Sequence, residues 1–307
     1  MHGQFVWYEL QTTDSAAAQR FYPAVTGWGI QKWDAADDYL MWTAGGVPFA
    51  GLAQITPAQR AQAITTNWHT YVSVDNVDAA ATKATSLGGK IMTPPEDVPG
   101  TGRFAMIQDP LGASIAIFTS NNPGPGFDGT PTLGHFSWHE LATSDYKAAF
   151  AFYSRMFGWQ KTSEMDMGGS TYLMFGMKGK PFGGMSTRQA GSSLPPSWLY
   201  YVNVRDAKSA TASIARGGGK VMQGPMQVPG GDWIAAATDP QGTMFAVHQT
   251  AAEAAAGTAA TPAKKAKPKA KVMPKQKTKA KKKVTARAKP KAKAKKKAEA
   301  KRKSGRR

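Results

Sequence analysis

One pattern is written twice in this chain, and the repetition limits what it can fold into more than any other feature. Gly3, Phe5, Trp7, Glu9, Leu10, Thr12, Asp14, Ala17, Ala18, Phe21, Tyr22, Gly27 and Trp28 recur as Gly134, Phe136, Trp138, Glu140, Leu141, Thr143, Asp145, Ala148, Ala149, Phe152, Tyr153, Gly158 and Trp159. The offset is 131 positions at every member, with no gap. A match of that length marks an internal repeat, so the fold must be built from duplicated units.

Each copy reads as a strand, a capped helix and a turn. Phe5, Trp7 and Glu9 alternate with Val6, Tyr8 and Leu10, the period of a β-strand. Asp14 stands where a helix N-cap belongs, because its carboxylate can accept the free amides of a first turn. Ala17, Phe21 and Val25 lie four apart and give one apolar stripe, and Gly27 ends it. Pro23, where the second copy has Ser154, is expected to kink or shorten the first helix.

The same grammar continues along the chain. Short strands are expected at residues 39–42 and 49–53. A second strand begins at Trp68, with Asp75 and Asn76 capping a helix to about Leu87. Strands near 90–92, 103–108 and 114–118 follow, the last two joined by the tight turn Asp109-Pro110-Leu111-Gly112. After a Pro/Gly-rich linker the series restarts, down to a second turn, Asp239-Pro240-Gln241-Gly242. The expected fold class is α+β: four βαβββ modules form two paired domains, 1–120 and 134–250, joined by a linker at 121–133.

Charge separates the rest. The chain has 39 Lys and Arg against 20 Asp and Glu, a formal net charge of +19. Residues 251–307 hold 23 of those basic side chains and 2 of the acidic ones, so they carry +21 and residues 1–250 carry −2. This Lys/Ala/Pro-rich stretch has no aromatic residue and little else to bury, so it is expected to be disordered. It is suited to neutralise phosphates without reading bases, with Lys264, Lys265, Lys281, Lys282, Lys283, Lys295, Lys296 and Lys297 as contact candidates. DNA, or another polyanion, is the expected partner. With no cysteine, disulfides and thiolate chemistry are excluded. Neither a signal peptide nor a membrane span is legible, so a cytoplasmic location is expected, with nucleoid association through the tail.

The Phe21-Tyr22 and Gly27-Trp28 pairs with their repeats, the segment Ser73-Val74-Asp75-Asn76-Val77 and the two Asp-Pro-x-Gly turns together resemble the vicinal oxygen chelate superfamily, the fold of glyoxalase I, bleomycin-resistance proteins and extradiol dioxygenases. The Gly-x-Phe-x-Trp-x-Glu-Leu opening is similar to a tandem-repeat, glyoxalase-like subgroup. The likeness covers about residues 3–250. The tail is similar to Lys-Ala-Pro tails of linker histones.

That resemblance implies a cup in each domain, with metal ligands at four positions: a histidine on the first strand of each module and a carboxylate on its last. Here those positions read Trp7, Gly51, His69 and Ala116 in the first domain, and Trp138, Gly184, Leu199 and Ala246 in the second. Only His69 keeps a ligand type, so neither a metal nor another cofactor is expected. His69 reads first as a hydrogen-bonded lining residue, and otherwise as an acid–base group. Glu9 and Glu140 share strand faces with aromatic residues. A buried carboxylate must be paired, hydrogen-bonded or protonated, by a side chain such as Arg103 or by a bound ligand.

Phe5, Trp7, Tyr71, Met106 and Phe118 are candidates to line the first cup, with Phe136, Trp138, Tyr201 and Trp233 for the second. His248 shares a strand face with Ala246 and is a further candidate for the second. His135 and His139 read as surface residues. The expected function is metal-independent binding of a small apolar or aromatic compound. The alternatives are a lyase, hydroxylase or dioxygenase-like enzyme using Glu9, His69 and Glu140, or a nucleoid-associated protein.

Overall fold

The computed structural model describes residues 2–33, 39–189, 191 and 195–259. The first repeat runs β1 (Phe5–Thr12), α1 (Ser15–Thr26), β2 (Gly29–Lys32), β3 (Leu40–Ala44), β4 (Val47–Gln54), the one-turn α2 (Pro57–Ala61), β5 (Asn67–Ser73), α3 (Val77–Ser86), β6 (Lys90–Val98), β7 (Gly102–Gln108) and β8 (Ser114–Ser120). The second runs β9 (Phe136–Thr143), α4 (Tyr146–Phe157), β10 (Gln160–Asp166), β11 (Thr171–Met177), β12 (Lys180–Thr187), β13 (Ser197–Asn203), α5 (Ala207–Arg216), β14 (Lys220–Gln227), β15 (Trp233–Thr238) and β16 (Met244–Gln249), and α6 (Ala251–Ala259) follows.

These strands make two eight-stranded sheets of identical plan, β2-β3-β4-β1-β5-β8-β7-β6 and β10-β11-β12-β9-β13-β16-β15-β14. In each sheet two βαβββ modules meet edge to edge through the antiparallel pair β1/β5 or β9/β13, while the inner pairs β1/β4 and β5/β8 are parallel. The antiparallel centre sets the first strands of two modules side by side, and this is what builds a shared concave face.

The repeated residues hold the two sheets together. Trp28 Nε1 donates to the Gly134 carbonyl at 2.6 Å, and Trp159 Nε1 donates to the Gly3 carbonyl at 2.7 Å. Each copy's closing Trp therefore bonds to the other copy's opening Gly. Gly3 sits at φ +82°, and a side chain there would strike the Phe157 carbonyl, so this position requires glycine. Tyr22 donates to Asp239 Oδ2 at 3.1 Å and accepts from Trp68 Nε1 at 2.9 Å. Asp239 Oδ1 accepts the amides of Gln241 and Thr243, so one carboxylate ties the turn of one repeat to a helix of the other. Tyr22, Trp42, Trp68, Tyr153, Trp159 and Tyr200 are among the fully buried rings of a single core spanning both repeats. Burial of each such ring stabilises by roughly 1.5–3 kcal/mol.

The caps form where the sequence places them. Asp14 Oδ1 accepts Ala17 N at 2.8 Å, Asn76 Oδ1 accepts Ala79 N, and Gly27 and Gly158 end α1 and α4 in the left-handed conformation. Pro23 does not shorten its helix: α1 and α4 both run 12 residues. Pro23 lies in the last turn, near the end of the ladder, and the buried Phe21, Tyr22 and Val25 hold that turn against the core.

Several other expectations need correction. The expected alternation fails at Val6, where the β1/β5 register shifts between Phe5 and Trp7. That bulge turns Phe5 away from the Trp7 face, and Phe5 is 1% exposed and stacked on His139 with centroids 3.6 Å apart. The second repeat has the matching shift, and Phe136 packs against Tyr8 at 4.1 Å. Neither ring lines a cup. His139 is fully buried rather than superficial. Its Nδ1 lies 2.8 Å from the Phe182 carbonyl, which can only accept, so Nδ1 carries the proton and Nε2 accepts the Tyr8 hydroxyl at 2.6 Å. His135 is half-buried against Phe49. Trp233 faces the helices, with Lys208 Nζ 4.8 Å above its ring.

The stretch 251–307 begins as structure, because α6 occupies its first nine residues. Thr250 and Glu253 form its cap: Thr250 N donates to Glu253 Oε2 at 2.9 Å and Glu253 N donates to Thr250 Oγ1 at 3.2 Å. Lys264, Lys265, Lys281, Lys282, Lys283, Lys295, Lys296 and Lys297 lie outside the described residues. No helix among those described is long and apolar enough to cross a membrane.

Candidate functional site

With Tyr8, Leu10 and Thr12 committed to the core, Trp7, Glu9 and Gln11 point from β1 to the other face of the first sheet, where all three are half-buried. The antiparallel register sets Glu9 directly opposite His69 and Trp7 opposite Tyr71. The parallel neighbours at this level are Gly51 on β4 and Ala116 on β8. These small residues open a floor whose far wall is Phe104 and Phe118, with ring centroids 6.0 and 6.2 Å from Tyr71. Met106, paired with Ala116, continues that wall.

The decisive side chain is one that the sequence did not single out. Tyr39, just before β3, donates its hydroxyl to Glu9 Oε2 at 2.8 Å and accepts from Trp7 Nε1 at 3.3 Å. Any side chain at Gly51 would collide with the Tyr39 hydroxyl. The second repeat builds the same group. Trp138 Nε1 donates to Tyr172 Oη at 2.8 Å, Tyr172 donates to Glu140 Oε2 at 3.0 Å, and a side chain at Gly184 would strike the Tyr172 ring. Tyr39 and Tyr172 lie 133 positions apart, as do Gly51 and Gly184. That shared offset was the available signal.

This arrangement answers the carboxylate question. Arg103 is not the partner of Glu9: it lies outside, bonded to Asp78 and Asp97 at 2.9 Å each. Burial raises the pKa of Glu9, opposed by hydrogen bonds from Tyr39 and Gln11. Glu140 is raised for the same reason, opposed by Tyr201 and Tyr172. Burial lowers His69 to about 4, so its ring is neutral at neutral pH. Among the described residues it has no hydrogen-bond partner.

Each carboxylate accepts two side-chain hydrogen bonds, and the two cups differ in what stands around it. In the second, Tyr201 also donates to Glu140 Oε2 at 3.0 Å and is only 5% exposed. Leu199 stands opposite Glu140 in place of a histidine. His248 is fixed between Ser137 Oγ at 2.8 Å and Asp232 Oδ2 at 2.9 Å. Asp232 and Asn203 in turn hold α6, through Ala251 N at 2.7 Å and Glu253 Oε1 at 2.9 Å.

A divalent ion of the kind held by related folds does not fit either cup. At the four positions in question the first domain offers one imidazole and the second none. Tyr39 and Tyr172 fill the space beside Gly51 and Gly184 where a carboxylate would stand. Among the described residues no three His, Asp or Glu side chains converge, whereas such an ion takes several donors.

Comparison with known proteins agrees with the architecture. The sequence model of the Glyoxalase/Bleomycin resistance protein/Dioxygenase superfamily matches residues 4–117 and again 132–247. A Mycobacterium bovis protein named "Putative glyoxylase CFP32" is 32% identical over 249 residues, spanning 80% of this chain and 94% of that protein. The anthracycline biosynthesis protein DauV of Streptomyces sp. (strain C5) is 28% identical over 262 residues, spanning 80% and 92%. Among solved structures, the Mn(II)-bound glyoxalase from Novosphingobium aromaticivorans superposes with a TM-score of 0.56 at 14% identity, covering 81% of this chain and 82% of that one. At that identity the likeness speaks for the fold alone.

Proposed function

This chain belongs to the glyoxalase/bleomycin resistance protein/dioxygenase superfamily, and from that membership we propose that it binds a small planar aromatic compound in an aromatic cup, without a metal ion. The observation that carries the reading is the Trp–Tyr–Glu group. Where a metal-binding cup needs open donors, this one has an indole, a phenol and a carboxylate bonded to one another beneath a ring-lined wall. Such a surface favours stacking on a flat ligand, with a polar hook at its floor. Two relatives named for anthracycline biosynthesis, DauV and DnrV, support fused aromatic rings as the ligand class. In the enzymatic alternative, Glu9 and His69 would act as an acid–base pair on such a ligand.

The test is quenching of intrinsic tryptophan fluorescence by a fused-ring aromatic compound, with and without Trp7→Ala. Saturable quenching that weakens in the variant supports the reading, and its absence refutes it. Stoichiometric zinc, iron, nickel or manganese in protein purified without added metal would overturn the metal-free part. The basic stretch is assigned a polyanion-attachment role on its charge alone, DNA being the first candidate.

A further inference from the structure

From the unequal polar floors of the two cups, we infer that only the first is a ligand site, and that Glu9 and His69 there recognise a phenolic hydroxyl on the aromatic ligand. This rests on the cup-binding reading above and adds which cup is used and what chemistry it selects.

Glu9 and His69 are direct cross-strand neighbours on the cup face, which puts their Cβ atoms about 4.5–5.5 Å apart. Both are half-buried. Glu9 receives Tyr39 on one oxygen and the longer Gln11 bond, at 3.3 Å, on the other. A carboxylate has about four lone-pair sites, so acceptor capacity is left over. His69, neutral and without a hydrogen-bond partner among the described residues, offers one N–H donor and one acceptor nitrogen. A phenol hydroxyl complements the pair: it donates its proton to Glu9 and accepts the His69 N–H, while its ring lies against Trp7 and Tyr71. An aliphatic alcohol would lack the stacking, and an unsubstituted ring would leave the imidazole unsatisfied.

The second cup has lost these features. Glu140 is held by two phenols, Leu199 replaces the imidazole, Tyr201 is buried and α6 is clipped to the neighbouring strand ends. The duplication kept the group that fills the metal position and altered the group that would meet a ligand.

The test uses the full-length chain with 2-naphthol and naphthalene as probes, by calorimetric titration and native mass spectrometry. One molecule of 2-naphthol should bind per chain, more tightly than naphthalene. His69→Leu, which copies the second cup, should weaken 2-naphthol about tenfold, the worth of a hydrogen bond of about 1.4 kcal/mol, and change naphthalene less than twofold. His69→Gln, which retains a donor, should restore most of the loss. It also serves as the reporter if His69→Leu lowers the thermal midpoint. Two bound molecules, or equal loss of both probes in His69→Leu, would overturn the inference while leaving cup binding intact. Failure of both probes to bind wild-type protein would refute cup binding itself, and the inference with it.

Discussion

Acidification should weaken the part of the joint that rests on His139, and the size of that share follows from its burial. Its ring is buried, stacked on Phe5, donates to the Phe182 carbonyl and accepts from Tyr8. Burial holds its pKa at about 3, against about 6.5 for the unfolded chain. Between those values the unfolded state binds the proton and the folded state does not, so stability is present above the unfolded pKa and falls as the pH drops below it. One group of this kind costs about 1.4 kcal/mol per pH unit once well below 6.5. From pH 7 to pH 5 the integrated loss from His139 is about 2 kcal/mol. His69, lowered to about 4, adds a loss of the same sign. The raised carboxyls of Glu9, Glu140, Asp109 and Asp239 work the other way, since their folded forms hold protons the unfolded chain has released. The His139 share is therefore read as a difference. Urea unfolding of wild type and His139→Gln, at pH 7 and pH 5, should show the variant less stable at pH 7 yet about 2 kcal/mol less sensitive to the change in pH. Equal pH sensitivity in the two proteins would refute the claim that this ring is held neutral by burial.

Three further outcomes are expected. Gly51→Ala forces its methyl onto the Tyr39 hydroxyl, so it should cost about 1–3 kcal/mol of stability by thermal or urea unfolding and shift the carboxyl carbon titration of Glu9 upward, because the Tyr39 hydrogen bond lowers that pKa. Trp28→Phe leaves the buried Gly134 carbonyl without its Nε1 donor, and should cost at least about 1–3 kcal/mol in the same assay, with the smaller ring's lost packing added to it. Removal of residues 260–307, with α6 left in place, should abolish retention on immobilised DNA without altering aromatic-ligand binding. If the intact tail engages 6–10 phosphates, affinity should fall about 10³–10⁵-fold between 50 and 200 mM salt, and DNA binding that survives the truncation would refute the tail assignment.

The modules were legible because their signals are local. A cap such as Asp14, a turn such as Asp109-Pro110-Leu111-Gly112 and an alternation such as that in β5 each declare themselves within a few residues. What the sequence hid depended on register. A single extra residue at Val6 reverses which face Phe5 occupies, and period-2 reasoning carries straight through a bulge. His139 looked superficial because its partners, Tyr8 and Phe5, are 131 and 134 positions away in the chain. The carboxylate partner was missed for a similar reason: Tyr39 reads as strand, and only the parallel pairing of β1 with β4 places a glycine where its hydroxyl can enter. α6 escaped because its alanine-rich segment, free of Lys and Pro, runs directly into an alanine-rich basic stretch and reads as part of it, and only Thr250 and Glu253 mark its start.

The repeats also separate the residues that hold the joint from those on the cup faces. Residues at the joint kept their identity in both copies: Gly3 and Gly134, Tyr22 and Tyr153, Trp28 and Trp159, Trp68 and Trp198, Asp109 and Asp239. Each satisfies or faces a group in the opposite copy or in the shared core, so a change on one side leaves a buried donor or acceptor without its partner. The Trp–Tyr–Glu groups also persist, since each is bonded internally. The open wall of the first cup diverged freely, with His69, Phe104, Met106 and Phe118 answered in the second by Leu199, Ile234, Ala236 and His248. Except for His248, which is buried between Ser137 and Asp232, these side chains are partly exposed on the cup faces, away from the joint. A fold locked at its centre leaves its cup faces free to change, and in the second repeat that face carries a buried His248 bonded to Ser137 and Asp232, with Asp232 also accepting Ala251 N at the start of α6.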